Sequence, residues 1–582
     1  MKHISVTVSF LRRQHPVFPL VLAAVFVFAL IGVAAQTRAR LVSPAQDKAR
    51  IQLQTAVASN SEAELQRFEN SFPNTREAAL ARLLRGHMRL QAKDYSTAAT
   101  LFADQNIERL TAVGDYALYY RGQALQERGG AAEAEREFRR LAQNYPSSLL
   151  SRAATLQSAG SAMLRGDYQT AISDLAALSS SNDGAALKMR ADALEKAGRQ
   201  NEAIITLRKL YYDAPQSPEA DKAGARLTAL GAKTAPDDAS QQKRRADRLY
   251  QAGLYALAAH AYAQIPALFP NAATDDVWLR AGISYYKSNL FKQAVDALSQ
   301  IRSRAPKVVS EAVYYKGLAQ LSLNSEAAVL QTLAELRRVA PGSERIGDLL
   351  YAVGRYQEKR DRSEQASSYY TQLVRQFPQA DGAANAHFWL AWRAHEARDY
   401  RTASRLLTEH VANYSAVTEN RGKAGFWAAL DAERSGDKET AMTIYRALLM
   451  RYGSGWFGLN AERRIAGLVN QGVRARPLES DLLLRRAVQG LQTVNLPQET
   501  LKDADAEHVT KAEQLMRVAL YQSAMNELDA ARAGHPDSPS VNLRIAQIFR
   551  IQGEPVAALN ALKRAYPDYG QMLPEESTRE VW

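Results

Sequence analysis

The sequence predicts an all-α chain: a right-handed superhelix of paired helices, curved into a U or a ring. Three observations predict it. A small residue, a second small residue twelve positions on and a bulky one four further recur ten times in 582 residues. Strand signals, meaning alternating runs bounded by turn pairs, are nearly absent. The chain is also too long for a single core, and stacked repeats escape that limit because each contacts only its neighbours.

The clearest copy is Gly122, Ala134, Phe138 and Pro146. Others are Gly86/Ala98/Phe102, Ala246/Ala258/Tyr262/Pro270, Gly282/Ala294/Leu298/Pro306, Gly354/Ala366/Tyr370/Pro378 and Ala429/Ala441/Tyr445. Ala191, Ala391, Ala512 and Ala546 open four more. The spacing resembles tetratricopeptide-like hairpins, two antiparallel helices and a turn in roughly 34 residues. Only Gly or Ala lets two backbones cross closely, the bulky residue is expected to fill the wedge between hairpins, and proline ends the second helix. From Ala246 to Ala429 the starts fall at 246, 282, 317, 354, 391 and 429, which is 35 to 38 apart and looser than a strict array. Gly317 breaks the pattern, with Val329 at its second position.

Along the chain, residues 1–35 come first, as a signal peptide or membrane anchor. Lys2, Arg12 and Arg13 precede an uncharged run from Val17 to Ala35, with Val33-Ala34-Ala35 as a cleavage site. The run is also just long enough to span a bilayer, so cleavage and retention both stay open. Arg38 and Arg40 follow, but the n-region holds at least as much positive charge, favouring export of the C-terminal side. The expected location is periplasmic, with inner-membrane anchoring if the segment is retained. N-terminal helical repeats are expected over 47–229 and, after a polar turn at 231–242, a superhelical U-like domain over 243–468. An irregular linker follows over 469–508, containing Pro477 and Pro497. Helical hairpins occupy 509–582, and ending at Trp582 after a turn-like stretch reads as an incomplete C-terminus.

The absence of cysteine excludes a lipoprotein, disulfides and cysteine nucleophiles, and suits an oxidising compartment. A net charge of +13 favours an anionic envelope polymer or membrane surface over nucleic acid, because the arginines are spread over solvated faces. No Gly-rich phosphate loop, Gly-x-Ser-x-Gly elbow or His-Glu-x-x-His helix occurs, and no cofactor or metal is expected. His395-Glu396 comes nearest to the last, but Asp399 stands where the second histidine belongs, so the pair reads as a helix-surface feature. Arg165-Gly166-Asp167 reads as a turn between repeat helices, like Lys93-Asp94 and Gly436-Asp437.

Residues Phe388-Trp389-Leu390-Ala391-Trp392-Arg393-Ala394 with Asp399-Tyr400, Tyr445-Arg446-Ala447-Leu448, and Gly455-Trp456-Phe457-Gly458-Leu459 carry a family resemblance. Ala512-Glu513-Gln514-Leu515, Tyr566-Pro567 and Arg579-Glu580-Val581-Trp582 extend it. Over about residues 240 to 582 the chain resembles the superhelical, U-shaped region of soluble lytic murein transglycosylases. Trp456-Phe457 stands where that family has a tyrosine pair. The resemblance implies a role in glycan-strand cleavage, in which one glutamic acid protonates the glycosidic oxygen and then deprotonates the sugar 6-hydroxyl. Such an acid needs a raised pKa. The family's Glu-Ser/Thr-x-Phe-x-Pro, Gly-Leu-Met-Gln and Ala-Tyr-Asn segments do not occur here, so no catalytic residue is assigned. Glu576-Ser577-Thr578 starts correctly but continues with Arg579, and Gly570-Gln571-Met572-Leu573 has the letters in the wrong order.

Five of six tryptophans lie between Trp278 and Trp456. Most large aromatics in helical repeats are packing, and Trp278, four before Gly282, is expected in a hairpin core. Trp392 and Trp456 are the better candidates for exposure, and with Phe457 they are the candidate glycan contacts. The expected function is the non-catalytic superhelical region of a periplasmic lytic murein transglycosylase, with peptidoglycan as partner and the catalytic domain missing from this chain. The alternative is a stand-alone periplasmic tetratricopeptide-like scaffold that binds envelope proteins. Membrane contact is expected only through the N-terminal segment, and no nucleic acid.

Overall fold

The computed structural model describes residues 44–573 and 576, apart from 417, 454 and 500. The export-type segment 1–35 and the expected lead-in Arg579–Trp582 lie outside the described residues. Among the described residues there are 31 α-helices, numbered here α1–α31 in chain order, and no strand. None of these helices is long and apolar enough to cross a membrane. The helices pair into tetratricopeptide-like hairpins that stack as a superhelix.

The crossing predicted from the repeat is what holds each hairpin. In α6 (Gly114–Glu127) and α7 (Ala131–Asn144), a Cβ on Gly122 would lie 2.6 Å from the Phe138 ring. In α20 (Arg345–Glu358) and α21 (Ser363–Gln376), a Cβ on Gly354 would lie 2.4 Å from Tyr370. Gly282 of α16 (Asp275–Lys287) stands in the same relation to Leu298 of α17 (Phe291–Leu298), again at 2.4 Å. The bulky residue thus sits over the small residue of its own hairpin, where it replaces a side chain, and not in a wedge between hairpins. Where Val329 replaces the second small residue, the contact changes. A Cβ on Gly317 in α18 (Pro306–Ser322) would meet Leu349 of the following hairpin at 2.9 Å.

When the bulky residue is tyrosine, its hydroxyl reaches back to an acid on the first helix. Tyr370 donates to Glu358 at 2.7 Å, Tyr445 to Glu433 at 3.1 Å, and Tyr262 to Asp247. Burial, reinforced by the adjacent carboxylate, pushes these phenols well above their ordinary pKa, so they remain donors at any physiological pH.

The turns have their own grammar. Gly166 takes φ +77° and Gly436 φ +93°, left-handed values that glycine adopts without strain. The aspartate after each caps the next helix: Asp167 accepts from Thr170 N at 3.1 Å and Asp437 from Thr440 N at 3.2 Å. Proline ends second helices as expected at Pro146, Pro215 and Pro378. Pro306 does not. It opens α18 at the first helical position, where its missing N–H has no partner to lose.

Residues 482–492, inside the segment read as an irregular linker, form α27 (Leu482–Gln492). Its buried Leu484, Ala487 and Leu491 join the core of α23 (Tyr400–Asn413), α24 (Thr418–Arg434) and α25 (Lys438–Tyr452). Beyond it the chain runs back to the first described helices. Ala512, Leu515, Leu528 and Ile545 share one apolar cluster with Leu53, Leu65, Leu80 and Tyr116. At this seam Lys511 Nζ donates to Asp115 Oδ2 at 2.9 Å, both side chains buried, and Ser148 donates to the same oxygen at 2.6 Å. Tyr116 donates to Glu527 at 2.8 Å, and His508 pairs with the other Glu527 oxygen. The backbone N–H of Ala112 donates to Gln514 at 2.9 Å. The far end of the same segment is tied to α24 and α25 by Arg421 with Asp568, both buried and 3.7 Å apart, and by Arg451 with Glu576 at 2.7 Å. The superhelix is therefore a closed ring.

Breaking a buried ion pair by removing one partner leaves the other charge stranded, at about 3–5 kcal/mol. Lys511→Met should open the seam by that amount. Hydrogen exchange in α28 (Asp503–Arg517), α29 (Tyr521–Gly534) and α6 should rise together, while exchange in α20 and α21 is unchanged. His508 supplies a pH dependence. Its hydrogen bond to Glu527 holds its pKa above the ordinary value, against a smaller opposing effect of burial. A raised folded pKa means stability that is complete below about pH 6.5 and lost as pH rises through the folded value. Seam protection should fall from pH 6 to pH 8.5, and His508→Gln should flatten that slope.

Candidate functional site

One face of the second block carries a continuous belt of rings. On α22 (Ala383–Glu396), Phe388, Trp392 and His395 stand four and three residues apart, on one helix face. On α24, Lys423, Phe426, Trp427 and Asp431, three, one and four residues apart, also share one face, and α26 (Trp456–Asn470) contributes Trp456 and Phe457 at its first turn. Phe388 and Trp392 lie nearly parallel, 13° apart with centroids at 6.1 Å. Trp392 meets Trp427 edge-on at 5.3 Å, Trp427 meets Phe426 at 5.8 Å, and Phe426 meets Trp456 at 5.1 Å. Phe457 is perpendicular to Trp456 at 5.3 Å.

Polar groups fix this belt. The Lys423 ammonium stands 4.8 Å from the Trp392 centroid and 5.0 Å from that of Phe388, a cation–π bridge between the two helices. His395 stacks on Trp392 at 4.7 Å and its Nδ1 lies 2.7 Å from the buried Asp431 carboxylate. Burial raises the Asp431 pKa, and the histidine bond works against that rise. His395 is thus a structural member of the belt and not the surface feature expected from sequence. The separation of His395 and Asp431, 36 residues, is one repeat, so the pairing was visible in principle as a histidine and an acid in the same register. Lys423 and Phe426 carried no such signal.

The three sequence-predicted contacts fall at different depths. Trp456 is 59% exposed at the end of the belt. Trp392 and Phe457 are half-buried, and Phe388, His395 and Lys423 crowd the Trp392 ring. Trp278, expected in a hairpin core, is half-buried at the edge of the apolar cluster that contains Tyr262 and Ala281. Glu576 is an unsuitable acid on physical grounds as well as by motif: its bond to Arg451 holds its carboxyl below the ordinary range. Among the described residues no group of three or more His, Cys, Asp or Glu side chains is placed to hold a metal ion.

Behind the belt lie two further histidines. His410 of α23 is buried, with neither ring nitrogen hydrogen-bonded, and stacks on His387 at 5.7 Å. Burial, with the neighbouring His387, lowers its pKa to about 3. A depressed folded value means that stability is complete above pH 6.5 and lost as pH falls from there towards 3. Thermal melts should show this loss on acidification, and His410→Leu should reduce it.

Tetratricopeptide repeat family profiles match residues 156–218 and 509–572, and a second such profile matches 116–148 and 276–307. No curated protein matches the chain. Among solved structures, the 70 kDa soluble lytic transglycosylase from Escherichia coli is similar at 12% identity, covering 87% of this chain and 76% of that one, with a TM-score of 0.38. The complex of the 70 kDa soluble lytic transglycosylase with bulgecin A is similar at 14% identity, 85% and 74% coverage, and a TM-score of 0.41. Yeast Tom70 is similar at 15% identity, 86% and 94% coverage, and a TM-score of 0.22.

Proposed function

We propose that this chain is the non-catalytic superhelical region of a periplasmic lytic murein transglycosylase. In this reading it holds glycan strands of peptidoglycan and positions a catalytic domain lying outside these 582 residues. The observation that carries the reading is Trp456, an exposed indole at the end of a rigid aromatic belt. It belongs to the Gly455–Leu459 element through which the sequence resembles that family. Sugar rings present C–H faces that pack on an aromatic plane, and a plane held by Phe426 and Phe457 loses little entropy on contact. The net charge of +13 adds long-range attraction for an anionic polymer.

The test is co-sedimentation of the purified chain with purified peptidoglycan. Binding is expected to survive an excess of competitor peptide. Trp456→Ala should weaken it about fivefold, the loss of about 1 kcal/mol of aromatic contact. Binding undiminished in that variant would remove Trp456 from the contact. No sedimentation at all would overturn the wall reading in favour of a periplasmic scaffold for protein partners.

A further inference from the structure

A second site lies away from the aromatic belt. A cavity of about 930 Å³ opens between α23, the turn into α25, the loop 472–476 and the start of α27. Its walls are pinned. Arg476 N donates to Glu439 O at 3.2 Å, and the Thr443 hydroxyl donates to Arg476 O at 3.1 Å. Ser404 on the wall is fixed by its hydroxyl bond to Ala428 O at 2.9 Å.

The charge lining this cavity is mixed, and most of it is spent internally. Of the cations, Arg405 pairs with Glu409 at 2.6 Å, Arg476 with Asp437 at 2.9 Å, and Lys438 donates to Gln471 at 2.8 Å. Of the carboxylates, Asp437 also caps α25, and Asp481 caps α27 by accepting from Leu484 N at 2.9 Å. Among the described residues, three charged lining side chains make no hydrogen bond or ion pair: Arg401, Arg474 and Glu439. Two free guanidinium groups and one free carboxylate thus face one cavity from three separate segments. Guanidinium recognises carboxylate through paired N–H donors, and a carboxylate recognises an ammonium group.

We propose that this cavity binds a short peptide carrying two carboxylates and one free ammonium group, with Arg401 and Arg474 on the carboxylates and Glu439 on the ammonium. The volume takes a few residues of extended chain. The site does not depend on the glycan reading, since it shares no residue with the belt.

The probe is the tripeptide Ala–Glu–Ala, which has one ammonium and two carboxylates, titrated calorimetrically into the purified chain at low salt. Ala–Lys–Ala, with the opposite balance, should bind at least tenfold more weakly. Arg401→Ala and Arg474→Ala should each weaken Ala–Glu–Ala at least fivefold while leaving the thermal midpoint unchanged, because neither side chain makes a bond in the fold. Glu439→Gln should weaken Ala–Glu–Ala but not its N-acetylated form. The proposal is overturned if Ala–Glu–Ala does not bind, if Ala–Lys–Ala binds equally, if the arginine variants bind as the parent does, or if inorganic phosphate binds as tightly through the same arginines.

Discussion

Everything in this structure depends on a steric substitution repeated along the chain: a ring or a leucine occupies the space that a side chain on the facing helix would need. Phe138 over Gly122 and Tyr370 over Gly354 set how closely the two helices of a hairpin approach. That distance sets the rotation from one hairpin to the next, and the sum of those rotations decides whether two ends some 400 residues apart arrive at the same place. A single enlarged crossing would be propagated along the whole arc, since solenoids accumulate small per-repeat changes.

The seam shows what happens when they do arrive. A solenoid ordinarily ends in a capping repeat with a polar outer face. Here apolar residues of α1 (Pro44–Ala58) to α6 and of α28 to α30 (Pro539–Ile551) belong to one buried cluster, so the two arms that meet at the seam shield one another from water. The price is a buried charge on both sides, met by Lys511 with Asp115 and by Glu527 with Tyr116 and His508. Such groups are satisfied only in one register, which makes the polar cluster a device for alignment as much as for stability.

The hairpins were legible because their determinants are local: offsets of twelve and four residues, aspartate caps after left-handed turns, and proline at exits. Pro306 was misplaced because the same residue suits a first helical position as well as an exit. The helix at Leu482–Gln492 was missed because its short apolar patch lies between prolines and outside the repeat period. Within the site, Trp456 was legible through the Gly455–Leu459 element, where Trp456-Phe457 stands in place of a tyrosine pair, whereas the roles of Lys423 and Phe426 arise only when α22, α24 and α26 are brought side by side. Closure of the ring was beyond reach: Asp115 and Lys511 are ordinary charged residues until they meet across 396 positions.

That separation has a consequence for biogenesis. At about 5–20 residues per second, synthesis takes roughly 20–80 s to pass from Asp115 to Lys511. Throughout that interval the first hairpins present an apolar surface and a carboxylate whose partners do not yet exist. Until α28 and α29 emerge, the apolar surface of α1 to α6 has no cover, and premature association between neighbouring copies is the hazard that this architecture carries.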